Sequence, residues 1–269
     1  MEPDLIIDVG VHKGEDTDFY LRKGFRVVGV EANLDLCKTL TRQFSKYLDH
    51  GRLRLLNVAV APEDGPVTFF QNQSVTDWGT TSKEWRARNE RKGTQSTETI
   101  VEGKRFESIL AEFGVPYYLK IDIEGADLLC VEALEQFSER PRYVSLESTM
   151  TSWRGLLEEF AILRRLGYRR FKVVNQLRVP LQTCPKLSRE GRYVAQTFVH
   201  GSSGTFGDEA PGEWLSEKQA ILKYRRIFVE YRVFGNDGVF DHFNWERRFI
   251  WRLKQFLPQR VWYDTHAAL

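Results

Sequence analysis

The chain has 269 residues, enough for one large domain or two small ones and for a full hydrophobic core. Hydrophobic residues make up 42% and charged residues 28%, which excludes a disordered, collagenous or coiled-coil chain. The net charge of +2 supplies no global field for nucleic acid or an acidic membrane, so no DNA partner is expected.

Cys37, Cys130 and Cys184 are odd in number and far apart. They suit neither a disulfide framework nor a metal knuckle, and a reducing, cytoplasmic compartment is expected. The first residues show no basic stretch followed by an apolar one, so no signal peptide is read. No stretch of about 18 uncharged apolar residues is present to span a bilayer.

In chain order, Leu5-Ile6-Ile7 reads as a strand running into Asp8-Val9-Gly10. A helix is predicted from Asp16 to Lys23, closed by Gly24. Arg26 to Val30 is a second strand, followed by Glu31 and a helix from Asn33 to Tyr47. Leu53 to Val60 is a third strand. Residues 72–97 are polar and read as an unusually long loop carrying Trp78 and Trp85. Tyr117 to Ile123 is a fourth strand, followed by a helix from Ala126 to Phe137. Tyr143 to Glu147 is a fifth, followed by a helix from about Trp153 to Leu166. Tyr168–Asn175 and Tyr193–Val199 are expected to close the sheet as an edge pair. Continuous apolar strands separated by helices imply right-handed crossovers and a parallel sheet covered on both faces. Residues 1–200 are therefore read as one doubly wound α/β domain. Residues 201–269 form a mainly helical extension, aromatic and basic, for packing, a lid or dimerisation. It opens on the hinge Gly201-Ser202-Ser203-Gly204 and carries the Arg-aromatic stretches Tyr224–Phe228 and Trp245–Arg252.

Three constellations carry chemistry. The first is Asp8-Val9-Gly10-Val11-His12-Lys13-Gly14, between the first strand and first helix, where glycines let backbone approach a ligand. His12 stands where a dinucleotide fingerprint has its middle glycine. Asp8, Glu15, Asp16 and Asp18 surround this turn and oppose a pyrophosphate. They suit S-adenosylmethionine, whose sulfonium and ammonium outweigh its one carboxylate. Glu15 and Asp16 would also simply complement the helix dipole.

The second is Glu31, seventeen residues after Gly14, placed to accept from ribose hydroxyls, or merely a solvated strand-end acid. Asn57 and Ala59 would border an adenine. The third is Lys120-Ile121-Asp122-Ile123-Glu124-Gly125-Ala126, a strand ending in carboxylates at the crevice, joined by Glu147. Asp122 and Glu124 are the first candidates for a base and Glu147 the next. Glu124 would alternatively cap a helix, and Lys120 is expected to have a structural role, snorkelling or pairing with a carboxylate. His12 and His200 are read as packed or surface residues. The carboxylates would suit Mg²⁺ or Ca²⁺, but no metal is favoured and no His/Cys spacing supports zinc.

At these residues the sequence resembles the FkbM family of methyltransferases. Asp8–Gly14, Val30-Glu31-Ala32-Asn33, Asn57-Val58-Ala59, Leu119–Ala126 and Ser145-Leu146-Glu147 carry the likeness, over roughly residues 5–175. It implies a Rossmann-like, mainly parallel seven-stranded sheet binding S-adenosylmethionine. It implies O-methylation, commonly of a hydroxyl on a sugar, glycan or secondary metabolite, by in-line displacement. Gly10, Gly14, Thr17, Glu31 and Asp122 are expected around the cofactor, and Gly79-Thr80-Thr81-Ser82 between cofactor and acceptor. Family members usually have Asn where His12 stands and often Pro where Ala32 stands, both beside the cofactor. His12 would donate to the cofactor carboxylate. Trp78, Trp85 and the C-terminal aromatics form either an acceptor platform or a packed tail, the latter extending to a homodimer contact. The stripe at 245–256 would alternatively rest on a membrane surface. RNA methylation, N-methylation of a small molecule, a dinucleotide enzyme and a non-catalytic binding module are the competing readings.

Overall fold

A computed structural model describes residues 1–74, 78–150, 152–234 and 262–269. Strands β1 (Glu2–Val9), β2 (Arg26–Val30) and β3 (Leu53–Leu56) alternate with helices α1 (Glu15–Lys23), α2 (Leu34–Gln43) and the short α3 (Ser45–Asp49). After β4 (Ala59–Val60), a hairpin of β5 (Gly65–Asn72) and β6 (Ser96–Lys104) encloses α4 (Lys83–Arg91). There follow α5 (Phe106–Phe113), β7 (Pro116–Ile121), α6 (Asp127–Ala133), β8 (Tyr143–Glu147), α7 (Trp153–Arg165) and β9 (Arg170–Asn175). The elements end with α8 (Glu217–Phe234) and β10 (Tyr263–Ala268).

The main sheet has seven strands in the order β3-β2-β1-β7-β8-β10-β9. The first five are parallel, and β10 runs antiparallel between β8 and β9. Consecutive apolar residues in a strand feed opposite faces. Leu5, Ile7 and Val9 of β1 join one core with α5, α6, α7 and α8, whereas Ile6 joins a second core with Phe19 and Tyr20 of α1. Both faces are thus covered, which is why the parallel strands read as unbroken apolar runs. The sheet's order reverses between β1 and β7, and the crevice opens at their carboxyl ends.

Several sequence expectations are corrected. The strand expected over Leu53–Val60 divides: β3 belongs to the main sheet, while β4 pairs with β6 in a separate three-stranded sheet. The helix expected from Asn33 to Tyr47 is interrupted at Phe44; Asn33 caps its start by accepting from Asp35 N and Leu36 N. The long polar loop at 72–97 instead contains α4 and the facing ends of β5 and β6. That hairpin was illegible because β6 buries only Gly103 and α4 buries only Asn89. Tyr193–Val199 is not a strand. Val194 and Phe198 pack on α1, with the Phe198 and Phe19 rings 5.1 Å apart, while Tyr193 and Val199 stay exposed. The strand position is filled by β10, from the segment assigned to the C-terminal extension. The extension's α8 packs Ala220, Tyr224 and Ile227 into the first core. The stretch Trp245–Arg252, and the wider stripe to residue 256, lie outside the described residues.

Because β10 pairs with strands on both sides, removing residues 263–269 should expose the edges of β8 and β9 together. Such a truncation is expected to unfold in urea at a clearly lower midpoint than the full chain, or to aggregate. An unchanged midpoint would show that β10 is dispensable.

Candidate active site

The carboxyl end of β1 turns sharply at Gly10, where φ is +87°. A Cβ there would stand 1.9 Å from the Asp122 carbonyl oxygen, so only glycine lets β1 and β7 diverge this closely. Gly14, φ +84°, faces Phe44 and Leu40, so it serves the packing of α1 on α2.

Beneath this turn Lys120 is buried. Its Nζ donates to the Gly10 carbonyl at 2.8 Å and lies 3.2 Å from Asp8 and 3.8 Å from Asp122. Burial alone would lower its pKa, but Asp8, Asp122 and Asp16 outweigh it and raise the value above ordinary lysine. Asp8 itself is fully buried and also accepts from Thr17 Oγ1 at 2.6 Å. The expected pairing of Lys120 with a carboxylate is therefore present. Asp8 and Thr17 hold the turn from behind rather than facing the cleft.

Glu31 closes β2 with both carboxylate oxygens engaged. Oε2 accepts from the backbone N–H of His12 and Oε1 from that of Asn33, each at 2.8 Å. Burial pushes its pKa up, and these two donors oppose the rise. His12 adopts a positive φ of 52°, which aims its N–H at Glu31. The Asn57 amide donates to the carbonyls of Glu31 and Ala32 at 3.0 and 3.1 Å and braces that turn.

After β7 the chain makes two successive left-handed residues, Glu124 (φ 50°) and Gly125 (φ 96°). A Cβ on Gly125 would stand 2.2 Å from the Trp85 ring, so the glycine admits that indole. Thr80 Oγ1 donates to the Glu124 carbonyl at 2.6 Å, tying the 79–82 segment to this turn, and Ser82 caps α4. Glu124 Oε2 is buried without a hydrogen-bond partner among the described residues. Burial, then Glu147 and Asp122, push its pKa well above the ordinary value, with Arg88 opposing. Asp127, at the start of α6, is raised to about 6 by burial and by Asp122, while accepting from Ile123 N and Gly125 N.

These elements surround a cleft of about 1160 Å³. Of the residues singled out from sequence, it is lined by Gly10, His12, Glu15, Asp16, Glu31, Ala32, Ala59, Trp78, Gly79, Thr80, Thr81, Trp85, Lys120, Asp122, Glu124 and Glu147. Asp8, Gly14, Thr17, Asn57 and Ser82 do not line it. The sequence missed Asp264, which β10 sets opposite Glu147. Burial, then Asp122 and Glu147, push its carboxyl well up. The sequence showed Ser203 only as part of a hinge and missed its contact with Asp16: the Ser203 N–H donates to both Asp16 oxygens at 3.0 and 2.9 Å and folds the 201–204 segment over α1. No local signal marked either, because both contacts join distant stretches of chain. Among the described residues, no group of three or more His, Cys, Asp or Glu is placed to hold a metal ion. No helix among them is long and apolar enough to cross a membrane.

A sheet of this order, with a glycine turn after its first strand, an acid after its second and carboxylates at the switch point, defines an S-adenosylmethionine-binding methyltransferase fold. The donor set fits that cofactor, since a net-cationic ligand suits a rim of Asp16, Glu31, Asp122, Glu147 and Asp264. The chain belongs to the FkbM methyltransferase family: the model of the methyltransferase FkbM domain matches residues 8–170. It is an S-adenosylmethionine-dependent methyltransferase. No curated protein matches the chain. Among solved structures it is similar to precorrin-6y C5,15-methyltransferase from Geobacter metallireducens GS-15, with 13% identity over 65% of this chain and 68% of that one, TM-score 0.39. It is also similar to an S-adenosylmethionine-dependent methyltransferase from Archaeoglobus fulgidus, with 11% identity over 98% and 86% of the two chains, TM-score 0.38. A third is the methyltransferase from Geobacter sulfurreducens in complex with S-adenosyl-L-homocysteine, with 10% identity over 100% and 85%, TM-score 0.35.

Burial pushes Asp16 from its ordinary 3.8 up to about 7, with Lys120 opposing and Asp8 adding to the rise. The folded protein then keeps a proton on Asp16 that the unfolded chain has released, so the Asp16 contribution to stability falls as pH rises from 3.8 to about 7 and is constant above. Urea midpoints across this window should show a shallower decline for Asp16→Asn than for the unaltered protein. Parallel curves would remove Asp16 from the linkage.

Proposed function

We propose that this methyltransferase acts on oxygen, by in-line displacement, at a hydroxyl of a sugar, glycan or secondary metabolite. The observation that carries the reading is the gathering of Glu31, Asp122, Glu124 and Glu147 beyond the ends of parallel strands around one cleft. When bound, S-adenosylmethionine supplies an electrophilic methyl group. Glu31 is assigned to the ribose hydroxyls. Each of its oxygens takes one backbone N–H and keeps acceptor capacity for a second donor. Ala32 and Ala59 leave room for the adenine, and Asn57 supports that wall through the carbonyls of Glu31 and Ala32. Asp122 is assigned to the cofactor's ammonium group. Gly10 and His12 bring backbone to the same end, with Gly14, Thr17 and Asp8 holding them in position.

Glu124 is assigned as the base that takes the hydroxyl proton. Its Oε2 is buried without a hydrogen-bond partner among the described residues and its pKa is raised, the properties of a carboxylate tuned towards proton transfer. Glu147 and Asp122 raise its basicity by repulsion. Trp78 and Gly79-Thr80-Thr81 form the acceptor side, with Ser82 supporting them as the α4 cap. The carboxylates are thereby assigned to cofactor and proton rather than to a divalent cation. The free cysteines support a cytoplasmic setting.

Calorimetry with S-adenosylhomocysteine tests the cofactor assignment. Glu31→Ala is expected to raise Kd about tenfold or more, a loss of ~1.4 kcal/mol or above. An unchanged Kd would remove the ribose role, and absence of heat with the folded unaltered protein would overturn the whole reading.

Turnover should rise with pH through an apparent pKa above the ordinary glutamate range, because only ionised Glu124 accepts a proton. Glu124→Gln is expected to abolish that acid limb and to lower kcat by about 10² or more. Retention of both rate and pH profile would transfer the base to another group.

A further inference from the structure

The cleft is electrically two-sided. Its sheet side carries the acids, whereas its outer wall is α4 and the residue after it, contributing Trp85, Arg88, Arg91 and Lys92. Positions 85, 88 and 92 form one stripe on that helix, with Arg91 beside it. Arg86, on the same helix, is neutralised elsewhere by Glu90 at 2.7 Å and by Glu98. Arg88 and Arg91 form no ion pair among the described residues. The Arg88 guanidinium lies 4.5 Å from the Trp85 ring centre, and its Nε is buried without a hydrogen-bond partner among the described residues. Arg91 engages its Nε with the Ala87 carbonyl at 3.3 Å.

We propose that the acceptor carries an oxyanion, either a carboxylate or a phosphate ester, which Arg88 and Arg91 hold while Trp78 and Trp85 flank the body bearing the reacting hydroxyl. This deepens the assignment above and rests on it. A guanidinium presents paired N–H donors in a plane, matching either oxyanion in a bidentate way. A buried donor without a partner carries a desolvation cost that such a ligand would relieve. Opposed charge also sets orientation. The acids around Glu124 repel the oxyanion and the α4 arginines attract it, so the molecule enters with its hydroxyl end towards the base. A neutral acceptor would receive no such alignment. A nucleic-acid strand is also anionic, but it requires a basic track along its backbone. Here two arginines stand in a cleft whose other charged walls are largely acidic.

The test uses the full chain saturated with S-adenosylhomocysteine and three probes: glucose, glucuronate and glucose 6-phosphate. Binding is followed by saturation-transfer NMR and calorimetry. At least one anionic probe is expected to bind about tenfold more tightly than glucose. The preferred probe distinguishes carboxylate from phosphate. The double variant R88Q/R91Q should lose that preference while keeping its affinity for S-adenosylhomocysteine, since neither arginine belongs to the cofactor set. Equal binding of all three probes, no binding of any, or a preference that survives in R88Q/R91Q would overturn the proposal. So would a short RNA oligonucleotide that binds more tightly than every sugar with the same arginine dependence. Failure of S-adenosylhomocysteine to bind the unaltered protein would instead strike the cofactor assignment, which the control measures separately.

Discussion

A lysine ammonium taken out of water is stable only where carboxylates and carbonyls replace its hydration, and Lys120 meets that condition at the junction of β1 and β7. Asp8 is fully buried on one side of it, and the Gly10 carbonyl and Asp122 complete its surroundings. Deleting one partner of such a buried pair costs about 3–5 kcal/mol, a large share of an ordinary domain's stability. The pair also fixes shape, because it joins the glycine turn after β1 to the acidic turn after β7. Those two turns are the floor of the cleft.

That cation also offsets part of the charge of the acids gathered there. Asp16, Glu31, Glu124, Asp127 and Asp264 all have raised pKa values, mainly from burial, so each is held in surroundings that disfavour its charge. Lys120 opposes the rise at Asp16, Glu31 and Asp264. Backbone donors do the same at Glu31, and Arg88 at Glu124. The strain is local to the cleft and is the condition a cationic ligand relieves. Stability and ligand preference thus share one electrostatic origin.

The layout separates two tasks. The parallel strands and their glycine turns supply a rigid acidic floor. The excursion between β4 and α5, with its hairpin and α4, supplies a wall of different character, aromatic and basic. Thr80 Oγ1 on the Glu124 carbonyl and the Trp85 ring over Gly125 are among the contacts that join them. A floor held by the sheet and a wall carried on a separate excursion allow the acceptor side to vary without disturbing the cofactor side.

Sequence alone determined the parts whose physics is local or periodic. Unbroken apolar runs announced the parallel strands, because both faces are buried. Glycines before helices marked the turns, and the string from Lys120 to Ala126 marked the acidic crevice and the family. Tertiary structure decided whatever depends on distant partners. Asp8, legible as an acid at the glycine turn, became the counter-ion of Lys120, and Asn57 became a brace for Glu31, because hydrogen-bond partners are chosen by proximity in space. The hairpin β5–β6 and α4 escaped detection because their exposed, polar faces carry little hydrophobic signal. Strand β10 and Asp264 escaped because antiparallel insertion between β8 and β9 is set by open sheet edges, and no run of residues near the chain's end encodes where those edges lie.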